Sequence, residues 1–150
     1  RAGPLAEVLS HPVSVPMLGV RDAGAVIAVT VAGYDADDHL TRLTFDGGQM
    51  SLPGHVGRVG QGLRVRIPAQ DVILASQIPA QISARNILPV TVTAIEDGRG
   101  PGVVIGLMAG ETPLLARITK ASLRDMKLSV GADIFAIIKA TAVAPEDAGR

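Results

Sequence analysis

Val65-Arg-Ile-Pro-Ala-Gln-Asp-Val72 can be laid over Ala136-Ile-Ile-Lys-Ala-Thr-Ala-Val143, so that Lys139 falls on Pro68, 71 residues away. The identity is weak, but the apolar pattern matches. A chain of 150 residues that repeats itself in this way reads as two tandem modules of about 60–70 residues each. Seventeen glycines and ten prolines interrupt the apolar runs, which suits several short strands better than long helices. The expected class is therefore all-β. Each module would be a small closed or nearly closed barrel, because closure removes the exposed edges of short strands. Aromatic residues amount to 2%, namely Tyr34, Phe45 and Phe135, so the core must be Val, Ile, Leu and Ala.

Residues 1–20 read as a lead-in. Pro4 suits a first helical turn, Leu5, Val8 and Leu9 share one helical face, and His11-Pro12 and Pro16 stop the helix. From Gly24 the period changes to that of strands. Ala25–Ala32 is β-branched and short, Leu40–Phe45 alternates, and Gln49–Leu52 returns after a tight turn at Asp46-Gly47-Gly48. Leu63–Ile67 alternates apolar residues with arginine, and Val72–Ala75 continues the apolar pattern. In the second half, Val90–Ile95, Val103–Met108 and Leu114–Ile118 read as strands, Ser122–Leu128 as a short helix, and Ile134–Ala144 as a final strand. The chain opens on Arg1 and is expected to be a piece of a longer protein.

Composition excludes several chemistries. Fourteen basic and fourteen acidic side chains cancel, which argues against a nucleic-acid binder while leaving room for a small basic pocket. There is no cysteine, so disulfides, thiol catalysis, Cys-ligated zinc and iron–sulfur clusters are out. The three histidines, His11, His39 and His55, are scattered, and no cluster has metal-ligand spacing. No apolar run approaches about 18 residues, and no basic segment followed by an apolar one marks a signal peptide. Asp46-Gly47-Gly48-Gln49 has a faint likeness to the Gly-Gly-Gln of transporter ATPase signatures, but its place between two strands makes it a hairpin turn. Ser51 and His55 stand near each other without a carboxylate to orient them, so no catalytic residue is assigned and no enzyme is expected.

Three segments carry polar chemistry on β residues. They are Ile82-Ser83-Ala84-Arg85-Asn86, Ile118-Thr119-Lys120-Ala121-Ser122 and Ile138-Lys139-Ala140-Thr141. A lysine within an apolar strand is costly unless its ammonium finds a partner. One reading turns Lys139 to solvent and makes Ser83 and Thr119 caps. The other is an anion site. A tetrahedral dianion needs opposing charges, which Arg85 and Lys139 supply. It also needs donors, which the hydroxyls of Ser83, Thr119, Ser122 and Thr141 and the N–H groups at the helix near Ser122 supply. Nothing in the set is a nucleophile with a base, so the constellation binds rather than reacts.

Ile82-Ser-Ala-Arg-Asn-Ile-Leu-Pro89, Leu115-Ala-Arg-Ile-Thr-Lys-Ala-Ser122 and Ile138-Lys-Ala-Thr141, in this order, resemble the molybdate/tungstate-binding Mop family. Thr41–Gly48 and Val65–Ala75 resemble the preceding module in the C-terminal regulatory (di-Mop, or TOBE) region of a molybdate ABC transporter's ATP-binding subunit, and Pro4–Ser10 resembles the segment that leaves the ATPase domain of that subunit. The resemblance covers nearly the whole chain and is strongest from Gln81 to Val143. It implies a pair of OB-like β-barrels with a short helix in the second. It also implies an oxyanion held by Ser83, Ala84 and Arg85 on one side and by Thr119, Ser122, Lys139, Ala140 and Thr141 on the other, with a second chain as one possible source. Ala84 and Ala140 would contribute backbone N–H groups. Pro68 stands where the lysine of the pattern would be in the first module, and no Ser-Ala-Arg-Asn precedes that module's first strand, so its role is expected to be structural.

The division expected is residues 1–20 as a linker and helix from an absent ATPase domain, 21–76 as a degenerate first Mop-like module, 77–145 as the oxyanion-binding module, and 146–150 as a tail. The resemblance further implies a cytoplasmic sensor at the inner face of the membrane, paired as a homodimer. Its partners would be an ATPase domain and a membrane permease subunit, with no nucleic acid. The ligand would be molybdate or tungstate, with no cofactor and no metal apart from the oxyanion itself. Filling the sites would restrain transport. Two other roles fit the same fold: a stand-alone molybdate-storage protein, and a dimerisation domain that has lost its anion.

Overall fold

The computed structural model describes residues 24–97 and 100–145. The expected lead-in at 1–20 and the tail at 146–150 lie outside the described residues. The first repeat contributes β1 (Gly24–Asp35), β2 (Leu40–Phe45), β3 (Gly48–Pro53), β4 (Gly62–Pro68), a 3₁₀ turn (Ala69–Asp71) and β5 (Ile73–Ala75). The second contributes β6 (Asn86–Glu96), β7 (Gly102–Ala109), β8 (Thr112–Thr119), helix α1 (Lys120–Met126), β9 (Asp133–Ile138), a second 3₁₀ turn (Ala140–Ala142) and β10 (Ala144–Pro145).

These strands form two curled five-stranded sheets, ordered β10-β4-β1-β2-β3 and β5-β9-β6-β7-β8. The expected all-β, two-barrel plan is borne out, with one feature that alternation alone did not reveal. Each repeat gives its last strand to the other's sheet. Ile73 of β5 lies opposite Ile137 of β9, while Ala144 of β10 lies opposite Arg66 of β4. The 71-residue spacing that relates Pro68 to Lys139 also relates these pairs. The run expected as a single strand from Ile134 to Ala144 is therefore corrected. Its ladder ends at Ile138, the chain makes a 3₁₀ turn, and it resumes in the other sheet. Strands of two and three residues are too short to hold a sheet edge by themselves. Here they cover edges that would otherwise stand open.

Alternation sends Ile27, Val29 and Val31 of β1, Val65 and Ile67 of β4, and Leu88, Val90 and Val92 of β6 inward. Their partners from both sheets make one aliphatic core that runs through both repeats, and Phe45 packs against it. A β-bulge falls at the same place in each first strand, between Val31 and Gly33 and between Val92 and Ala94. The bend it gives helps each sheet curl.

The hairpin tips of the two repeats meet. The Asp46 carboxylate accepts the Glu111 N–H at 2.8 Å and the Thr112 hydroxyl. A Cβ on Gly47 would lie 2.5 Å from the Ala109 carbonyl oxygen, so only glycine permits this approach. Asp46-Gly47 is thus the turn between β2 and β3, as expected, and it also fastens one repeat to the other.

Each sheet leaves a seam beside its outer strand, and the other repeat fills it. β8 is covered by β1 and the first 3₁₀ turn, while β3 is covered by β6 and the second. In the first case the contact is apolar: Ala69 of the turn packs on Val104 and Leu115, which point away from the main core. In the second it is polar, as described below.

Candidate anion-binding site

The β6–β9 ladder ends with Asn86 opposite Ile138. Arg85 and Lys139 are the next residues outward on these neighbouring strands, so the register brings the two cations to one end of the second sheet. Burial alternates on both segments. Ala84 and Ala140 are 7% and 8% exposed, whereas Ser83, Arg85, Lys139 and Thr141 are exposed. The small alanines seat the backbone and leave two cations and two hydroxyls facing solvent. Among the described residues neither Arg85 nor Lys139 has an ion-pair partner. Lys139 (φ −63°, ψ 143°) initiates the 3₁₀ turn, whose bond from Ala142 N–H to the Lys139 carbonyl measures 2.9 Å. The N–H groups of Ala140 and Thr141 consequently have no partner within the turn.

The two remaining candidates lie elsewhere. Thr119 is opposite Gly102, beyond the Glu96 end of β6. Arg85 precedes the other end of that 11-residue strand. At about 3.3 Å per residue, on the order of 30 Å of strand separates them. One chain therefore does not gather all eight residues on one anion. Thr119 also has a local role: it is the N-cap of α1, its Oγ1 accepting the Ser122 N–H at 3.0 Å and donating to Ser122 Oγ at 3.0 Å. The helix starts at Lys120 rather than at Ser122, because Thr119 supplies the cap one residue after Ile118. Beside it Lys120 pairs with Asp97 at 3.3 Å.

Asn86 is the residue whose role the sequence reading missed. It shares the inward phase of Leu88, Val90 and Val92 and is 2% exposed. Its Oδ1 accepts the Ser51 N–H at 2.7 Å, and its Nδ2 donates to the Ser51 carbonyl at 3.1 Å. A polar residue in an apolar phase was the available signal, since burial obliges such a group to find partners. Ser51 and His55 make no catalytic pair: the His55 ring is stacked on Tyr34 with centroids 4.3 Å apart.

Among the described residues no helix is long and apolar enough to cross a membrane, and no His, Asp and Glu group could hold a metal ion. Residues 82–145 match the TOBE domain family. The molybdenum import ATP-binding protein ModC of Hahella chejuensis is 35% identical over 142 residues, covering 94% of this chain and 39% of that protein. The protein of the same description from Albidiferax ferrireducens is 39% identical over 142 residues, covering 94% and 38%. The chain thus spans about two fifths of the length of these curated relatives. Among solved structures, the cytoplasmic molybdate-binding protein ModG, with molybdate bound, superposes with a TM-score of 0.70 at 25% identity, covering 80% of this chain and 93% of that one. The match to the TOBE domain family thus falls on the second repeat, and the similarity to part of the ModC import ATP-binding proteins runs along nearly all of the chain.

Proposed function

We propose that this chain is the oxyanion-sensing region of a molybdate importer's ATP-binding subunit. The observation that carries the reading is the pair Arg85 and Lys139, neighbours in register, exposed and without counter-charge among the described residues. Adjacent cations repel, and a dianion bound between them outweighs that repulsion by attracting both. Molybdate or tungstate would sit between the two, with the hydroxyls of Ser83 and Thr141 and the N–H groups of Ala84 and Ala140 as further donors. The distance of Thr119 and Ser122 from this end supports a homodimer in which a second copy brings them to the anion. Similarity to ModC supports an ATPase domain and a membrane permease as partners at the cytoplasmic face. An anion that prefers one arrangement of the paired chains shifts the assembly towards it, and that preference would restrain the ATPase.

The likeness to ModG along 93% of that chain favours a stand-alone molybdate-binding role as the second reading. The purely structural reading rests on the Thr119–Ser122 cap, which gives both residues a task without an anion.

Calorimetric titration with molybdate, with sulfate as control and light scattering in the same buffer, tests the proposal. Molybdate heat that sulfate does not abolish, from a particle of dimer mass, is the expected result. A folded protein that takes up no molybdate overturns it.

A further inference from the structure

The seam beside β3 is closed by a carboxamide, although an apolar contact would serve. The seam beside β8 shows this directly. There the position equivalent to Asn86 is Ala25, which has no polar side-chain atom, and β1 still lies against β8. A buried amide is costly unless its bonds are made, so closing a seam does not by itself explain it. What sets the β3 seam apart is its neighbours. Asn86 adjoins Arg85 in sequence and Ile138 in register, and Ile138 adjoins Lys139. The 3₁₀ turn that follows Lys139 rests on β3 as well. Ser51, Asn86 and the two cations therefore form one continuous connection from the first repeat's outer strand to the candidate site. Because both Ser51 backbone groups engage, the carboxamide fixes orientation as well as distance, as a paired strand would.

We propose that Asn86 is a positioning residue for the anion site: its clasp on Ser51 holds the Ser83–Arg85 arm against the first repeat, so that affinity at Arg85 and Lys139 depends on that repeat being docked. This rests on the oxyanion reading above. It gives the first repeat, which lacks a lysine of its own at Pro68, a part in binding that needs no ligand from it.

The test is titration of the full chain with sodium molybdate, comparing wild type with Asn86→Ala, Ser51→Pro and Val92→Ala. Ser51→Pro removes the N–H that Asn86 accepts while leaving Asn86 and both cations in place. This N–H faces Asn86 rather than β2, so the β2–β3 ladder loses no hydrogen bond. Val92→Ala weakens the same strand in the core and serves as the stability control. Asn86→Ala and Ser51→Pro should each weaken binding about tenfold or more, as loss of a supporting partner behind a ligand commonly does. Val92→Ala should stay within about twofold at a temperature well below its Tm. If Asn86→Ala does not fold, Ser51→Pro decides alone. Wild-type affinity in the seam variants, or a loss equal to that of Val92→Ala, overturns the clasp's role. A wild-type protein that takes up no molybdate overturns the oxyanion reading, and the clasp's role with it.

Discussion

Pro68 leaves β4 at φ −64°, ψ 139°, and Lys139 leaves β9 at φ −63°, ψ 143°. The two 3₁₀ turns that follow end at Val72 (−98°, 120°) and Val143 (−89°, 121°), so the backbone path is the same in both repeats. The chemistry at the two places is opposite. The second repeat offers Arg85 and Lys139, exposed and without an ion pair among the described residues, while the first has Gly24 and Pro68. A Cβ on Gly24 would stand 3.0 Å from the Ile67 carbonyl oxygen and 3.2 Å from Pro68 Cα, so the first repeat has little room for a side chain where the second carries its arginine. Proline keeps the φ that the turn needs while removing the ammonium. One repeat has kept the fold and filled its seam with aliphatic groups. The other uses the same path to present charge. A duplicated backbone thus allows assembly and binding to be divided between copies.

Four substitutions test this contrast between the repeats. The largest effect should come from Leu115→Ala in the apolar seam. Leu115 is buried on Ala69 and Val104, so truncation should cost about 3 kcal/mol, or roughly 6–12 °C in Tm by calorimetry. An unchanged Tm would mean that this seam is not adhesive. Lys139→Ala should do the reverse. Molybdate binding should weaken by about 2 kcal/mol, on the order of thirtyfold in Kd, with little change in Tm. Retained affinity would remove Lys139 from the site.

Thr119→Val should cost about 1 kcal/mol of stability, because Ser122 N–H loses its cap acceptor. If a second copy brings Thr119 to the anion, the same variant should also weaken molybdate binding several-fold; a pure Tm effect would assign it to the cap alone. Gln70→Ala, in the first repeat's turn, should be the mildest, with Kd within about twofold in the same titration. A large loss there would show that the first repeat holds ligands too, and the division of labour would fail.

Much of this was legible in the residues. Period-two alternation placed β2 at Leu40–Phe45 with both its bounds, and the Asp46-Gly47 turn followed from glycine chemistry. These are local matters, decided by dihedral preferences and by which side of a strand is apolar. The path after Ile138 was not legible. Lys139-Ala140-Thr141 is a polar interruption that a continuing strand and a turn accommodate equally well. The role of Asn86 was not legible either, because its partner Ser51 is 35 residues away in the other repeat.

Residue order alone makes the protein a β tandem with an aliphatic core and says which hydroxyls and cations are available for an oxyanion. That β5 and β10 change sheets, that Arg85 and Lys139 share one end of the second sheet, and that Thr119 and Ser122 lie at the other came from the folded arrangement. The physical reason is the range of the interactions. Alternation and turn chemistry act between near neighbours, whereas register and strand exchange are set by hydrogen bonds and packing between segments whose separation along the chain carries no local mark.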